Sequence, residues 1–184
     1  ELTTFVVNLE AEGKWQDAMQ SFTNALVIDS EWVDALDGLA RSTEAFEAEQ
    51  YKGLLSAGYQ LIKESKFDEA RSAFEQASAL QPDSVQVAQA LEELGLRERM
   101  AKIKALKYKA LSAEVNERWA SAQELYENIL ELDPNISEIQ ENLIRVDQRI
   151  KLENNLIYFT NITDKLNDDK LYNQAVQVLS TADS

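Results

Sequence analysis

Apolar residues recur along this chain at helical rather than strand spacing, and one short pattern of them occurs four times. The segments 13–25, 65–77, 117–129 and 170–182 align without gaps. Each carries a leading aromatic residue (Trp15, Phe67, Trp119, Tyr172), followed three residues later by Ala18, Ala70, Ala122 or Ala175. Four residues on comes a large apolar side chain (Phe22, Phe74, Tyr126, Leu179), and three further a small or aliphatic one (Ala25, Ala77, Ile129, Ala182). Steps of three and four place these positions on one face of an α-helix. Alanine lets a neighbouring helix come close, and the large side chain one turn later fills the wider gap beside it. The leading aromatics are therefore assigned to packing between helices, not to a ligand.

The stretches between these segments predict longer helices. Pro82 and Pro134 mark helix stops, with Ser84 and Ser137 as N-caps and Ser137 with Gln140 as a capping box. The four alanines are spaced by 52, 52 and 53 residues. That leaves room for a long helix in each unit, over 31–63, 84–116 and 137–167, each about 50 Å if unbroken. Ile139, Leu143, Val146 and Ile150 recur by four and three, and Val87, Leu91 and Leu94 begin the same series. The later set Leu152, Leu156, Phe159, Ile162 and Leu166 is offset from the earlier one, which suggests a bend near Lys151. Gly38, Gly53 and Gly95 are further weak points. Three shorter helices per unit are the alternative; the long helix is preferred.

The short-helix series resembles the second helix of the tetratricopeptide repeat (TPR). First-helix positions match in part: Leu54, Ala57, Gly58 and Leu61 fall where the family has Trp, Leu, Gly and Tyr. Their equivalents are Leu106, Lys109, Ala110 and Ala113, then Phe159, Ile162, Thr163 and Leu166. Ordinary units of the family recur every ~34 residues, so each unit here carries about 18 more. Eighteen residues are about five whole turns, which keeps an apolar face in register and suggests a first helix extended at its N-terminal end. The resemblance implies an all-α helical-hairpin repeat array, a TPR-like α-solenoid with alternating short and long helices. It would form a single repeat domain over 1–184, in units of approximately 1–30, 31–82, 83–134 and 135–184.

Composition removes most other chemistry. The 184 residues contain no His and no Cys, which excludes His-dependent triads, the usual zinc sites and disulfides. No cofactor or metal site is expected, and no enzyme. Glu92/Glu93 and Asp168/Asp169 read as solvated surface carboxylates. Gly53 and Gly58 have Walker spacing, but Tyr59 and Gln60 stand where that loop needs Lys and Ser or Thr. Asn135 and Asn161 begin glycosylation-type triplets within or beside helices and read as chance matches. A net charge of −15 argues against nucleic acid and against anionic membrane surfaces. Apolar runs of about four residues, such as 25–28, fall far short of the ~20 that span a bilayer. With no initiator Met, the chain reads as a soluble fragment of a longer protein, from a bacterial periplasm or envelope or from a cytoplasm; composition does not choose.

Charge is unevenly spread. Six of the 18 basic residues lie between Arg97 and Lys109, opposed only by Glu98. The resemblance implies that first helices hold a peptide on their inner face. Those positions would be Lys52, Leu55, Tyr59, Ile62 and Lys63 in one unit, and Lys104, Lys107, Leu111, Glu114 and Val115 in the next. The last unit would supply Ile157, Thr160, Asp164 and Asn167. Lys52, Leu55, Tyr59, Lys63, Lys104, Lys107 and Leu111 are the candidate partner-binding residues, suited to an acidic or C-terminal-carboxylate peptide. The competing reading is that these lysines only offset acidic neighbouring helices. The family's carboxylate clamp fits poorly, since only Lys107 and Asn161 fall on its positions. The expectation is a non-enzymatic protein-interaction module or scaffold. The alternative is a structural spacer or self-association domain forming a homo-oligomer.

Overall fold

The computed structural model describes residues 2–182, and among them the chain is all-helical. The order is α1 (Leu2–Ala11), α2 (Trp15–Ile28), α3 (Val33–Lys63), α4 (Phe67–Leu80), α5 (Val85–Val115), α6 (Trp119–Leu132), α7 (Ser137–Asn161) and α8 (Asp169–Ala182). A short 3-10 turn, Thr163–Lys165, separates the last two. Helices α2, α4 and α6 each begin at the aligned aromatic residue and run 14 residues. Helices α3 and α5 are 31 residues long and unbroken, so Gly38, Gly53 and Gly95 do not divide them. The chain divides into two compact units, Glu1–Glu98 and Arg99–Ser184.

One turn geometry recurs three times, leading into α2, α4 and α6. Gly13, Ser65 and Glu117 each take positive φ, at 72°, 60° and 55°. In the second turn the Lys66 amide donates to the Leu61 carbonyl at 2.9 Å, and the Ser65 amide to Ile62 at 3.0 Å. This pair of bonds is a Schellman termination, which satisfies carbonyls that the helix end leaves unpaired. The same bonds recur from Lys14 to Leu9 and from Arg118 to Ala113. Only the first turn uses the residue for which the left-handed conformation carries no steric cost.

In the first unit, Val6 of α1, Ala18, Phe22 and Ala25 of α2, and Ala35 of α3 form one apolar cluster. Tyr51 and Ile62 of α3, Ala70, Phe74 and Ala77 of α4, and Val87, Ala90 and Leu94 of α5 form the next. Helix α3 thus serves two clusters, one with each half. A Cβ added at Gly38 would lie 2.2 Å from Phe22 Cζ, and one at Gly58 would lie 2.3 Å from Phe74 Cε1. Both rings press on bare helix backbone. Twenty residues separate the two glycines, a rotation of about 200°, so the two halves of α3 bury nearly opposite faces. The expectation of one apolar face kept in register is corrected accordingly. In the second unit Ala110 and Ala113 of α5, Ala122, Tyr126 and Ile129 of α6, and Ile139 and Val146 of α7 repeat the arrangement.

Three further expectations change. Helix α7 runs through Lys151 without a break and ends at Asn161, short of residue 167. Helix α8 begins three residues before Tyr172, because the Asp168 carboxylate accepts the Lys170 and Leu171 amides at 2.9 and 3.1 Å and caps the helix early. Tyr172 and Leu179 are each 56% exposed, so the fourth set does not pack as the first three do; Ala182 lies outside the described side chains. Ser84 does cap α5, accepting the Val87 amide at 3.3 Å. Ser137 is already the first residue of α7, because the Ile139 and Gln140 amides bond to Ile136; Gln140 instead donates to the Pro134 carbonyl at 2.7 Å.

The glycines give the first test. Gly38→Ala is expected to destabilise by about 1–3 kcal/mol through overpacking against Phe22. Gly53 has nothing within 4 Å of its missing Cβ, so Gly53→Ala is expected to stabilise by roughly 0.5–1 kcal/mol. Thermal unfolding of the two variants should move in opposite directions.

Candidate functional site

The candidate residues fall in both compact units. In the first, Lys52 and Lys63 are exposed and form no ion pair among the described residues. Leu55 is half-buried against the second apolar cluster. Tyr59 lies at the surface and sets its ring against Phe74 edge-on, at 5.4 Å between centroids and 68°. Ile62, one of the inner-face positions, is 8% exposed and belongs to the core.

In the second unit, Lys104 is exposed without an ion-pair partner among the described residues, and Leu111 is 39% exposed. Lys107 is engaged: its Nζ lies 2.7 and 2.8 Å from the two carboxylate oxygens of Glu138, at the start of α7. That carboxylate also suits the positive end of the α7 dipole. Met100, Lys104, Lys107, Leu111 and Val115 recur at steps of four, three, four and four, so they share one face of α5. Met100 and Val115 are strongly exposed. Between Arg99 and Ala113 the helix carries five basic residues and no acidic one.

At the C-terminal end of this face lies a polar network. Glu114 accepts a short hydrogen bond from the Tyr126 hydroxyl and a two-pronged ion pair from Arg145 Nη2, at 2.9 and 2.8 Å. Arg145 Nη1 also donates to Asn142 Oδ1 at 3.0 Å. The Glu114 side chain is only 14% exposed. It is thus fully employed in joining α5, α6 and α7. Burial, then the bond to Glu114, raises the Tyr126 phenol well above its ordinary value. Two repeats earlier, at equivalent positions, Glu10 accepts from the buried Ser42 hydroxyl at 3.0 Å and faces Arg41 at 3.6 Å. The intervening equivalent of Glu114 is Ile62, which carries no charge.

Two clefts were not legible as sites. One is lined by Gly13, Lys14, Trp15, Gln16, Asp17, Phe46 and Glu49. The other, between α7 and α8, is lined by Asn155, Tyr158, Phe159, Gln174, Gln177, Val178 and Thr181. The repeat alignment identified Trp15, but Phe46 has Glu98 and Ile150 as its equivalents, so no recurring pattern singles it out. Among the described residues no helix is long and apolar enough to cross a membrane. No family model, curated protein or solved structure matches the chain.

The Tyr126 phenol generates a pH prediction. Its folded-state pKa is raised, so the neutral form that the fold requires is present in both states below the ordinary phenol value of about 10. Above that value the unfolded chain loses the proton first, and stability falls as pH rises toward the folded pKa. Urea midpoints measured from pH 8 to 11 should decline for the wild type, and less steeply for Tyr126→Phe.

Proposed function

We propose that this chain is a non-enzymatic protein-binding module, a helical repeat of tetratricopeptide type that holds an acidic segment of a partner protein. The observation that carries this reading is the exposed stripe on α5, where Met100, Leu111 and Val115 share a face with Lys104 and residues 99–113 carry no acidic side chain. Apolar side chains left in solvent supply contact area, and unpaired lysines steer a negatively charged partner. Lys107 contributes less, because Glu138 already neutralises it. Lys52, Tyr59 and Lys63 offer a comparable but smaller surface in the first unit.

A second reading, a spacer that self-associates, is favoured by a different observation. Tyr172, Val176 and Leu179 on α8 are 56%, 45% and 56% exposed, although their equivalents Trp119, Gln123 and Tyr126 are covered wholly or in part. A helix face this apolar suits a second copy.

Affinity capture from native lysate with the wild type, Lys52→Glu and Lys104→Glu/Leu111→Ala tests both. The expected result is a partner held by the wild type and lost from the α5 variant, with Lys52→Glu weaker in effect. The same partners on all three proteins would contradict the α5 reading. A solution mass that rises with concentration, abolished by Leu179→Lys, would transfer the function to self-association.

A further inference from the structure

A separate surface in the first unit carries the opposite charge preference. Residues 1–50 contain 11 acidic and two basic side chains. Both basic groups are already engaged: Lys14 Nζ lies 2.7 Å from Glu12, and Arg41 Nη2 lies 3.6 Å from Glu10. The cleft between the start of α2 and the middle of α3 sits within this acidic region. Its walls include two half-buried rings, Trp15 and Phe46, and two carboxylates, Asp17 and Glu49. Lys14 also lines it, with its ammonium held by Glu12.

The next repeat shows what chemistry this seam accepts. Its equivalents of Met19 and Phe46 are Arg71 and Glu98, and the Arg71 guanidinium donates to both Glu98 oxygens at 2.8 and 2.7 Å. There the short helix is tied to the following long helix by the protein's own guanidinium. In the first repeat the equivalent positions are Met19 and Phe46, both apolar; Phe46 lines the cleft, and neither position supplies an arginine.

We propose that the Trp15–Phe46 cleft is a binding site for an arginine side chain presented by a partner protein. The planar guanidinium stacks on an indole or phenyl face, while its N–H groups reach carboxylates at the rim. Asp17 and Glu49 are placed to receive them, and the surrounding excess of negative charge draws the basic segment in. A lysine ammonium gains the charge attraction but not the stacking or the forked geometry. This site is independent of the α5 stripe and selects the opposite charge, so the two surfaces together would let one chain bridge an acidic and a basic partner.

The test uses the full chain, labelled with ¹⁵N, and a capped nonapeptide of Gly and Ser with one central arginine. A matched peptide carries citrulline, which keeps the shape of arginine and removes its charge. Trp15 has its own indole N–H resonance, assigned by its loss in Trp15→Phe. The expected result is a saturable shift of that resonance with the arginine peptide. The affinity should fall roughly tenfold or more with citrulline, and again in Asp17→Asn/Glu49→Gln. Asp68→Asn/Glu69→Gln, on exposed carboxylates of α4, should leave it unchanged. Equal affinity for the citrulline peptide overturns the proposal, as does full affinity in Asp17→Asn/Glu49→Gln. Absence of any Trp15 shift at millimolar peptide overturns it too. The peptide comparison is made on wild-type protein, so it decides the matter even where a variant fails to fold.

Discussion

In the first unit the packing rests on one kind of contact, an aromatic ring from a short helix pressed against a long helix at a residue with no side chain to move aside; in the second, Ala110 stands at the position equivalent to Gly58. Phe22 meets Gly38 and Phe74 meets Gly58, each ring lying where a Cβ would intrude to within 2.4 Å. Such contacts let helices approach more closely than side chains on both sides would allow. The close approach in turn buries Ala18, Ala25, Ala70 and Ala77, which are too small to bridge a wider gap. Because Gly38 and Gly58 sit on nearly opposite faces of α3, one helix is held from two sides. A 31-residue helix of modest overall apolarity is stabilised that way without burying its whole circumference.

The apolar contacts repeat, whereas the polar contacts between the same helices do not. At one seam the second repeat has the Arg71–Glu98 ion pair, the third has Gln123 donating to Asp147 at 2.9 Å, and the first has neither. At another, Glu10–Arg41 and Glu114–Arg145 bracket an uncharged Ile62. A common frame has thus been given a different surface in each repeat. Glu114, nearly buried and joined to Tyr126 and Arg145, acts within the frame. Lys104 and Leu111 on α5 are exposed and take no part in it.

How much of this was legible depended on whether a feature repeats. The repeated apolar series located α2, α4 and α6, and each of these helices begins at its aligned aromatic residue. The long helices followed from their spacing. Their two-faced packing did not, since the offset between Ile139–Ile150 and Leu152–Leu166 imitates a bend when it is a change of packing partner. The early start of α8 was hidden because Asp168 caps it through its own side chain, a local contact that the other repeats lack. Charge and register singled out Lys52, Lys104 and Leu111, and all three are exposed. The pairing of Lys107 with Glu138 was not readable, because 31 residues separate them and only the packing of α7 beside α5 brings them together. The Phe46 cleft was invisible for the converse reason, being peculiar to a single repeat.

The central claim is that ring and bare backbone constrain each other, which a double-mutant cycle between Gly58 and Phe74 measures directly. Gly58→Ala is introduced into the wild type and into Phe74→Leu, and all four proteins are unfolded in urea. If the contact governs the packing, the alanine costs at least about 1 kcal/mol less once the ring edge is gone, since neighbouring residues couple by roughly 0.5–3 kcal/mol. Equal costs in the two backgrounds would mean that Gly58 and Phe74 act independently, and would contradict the account.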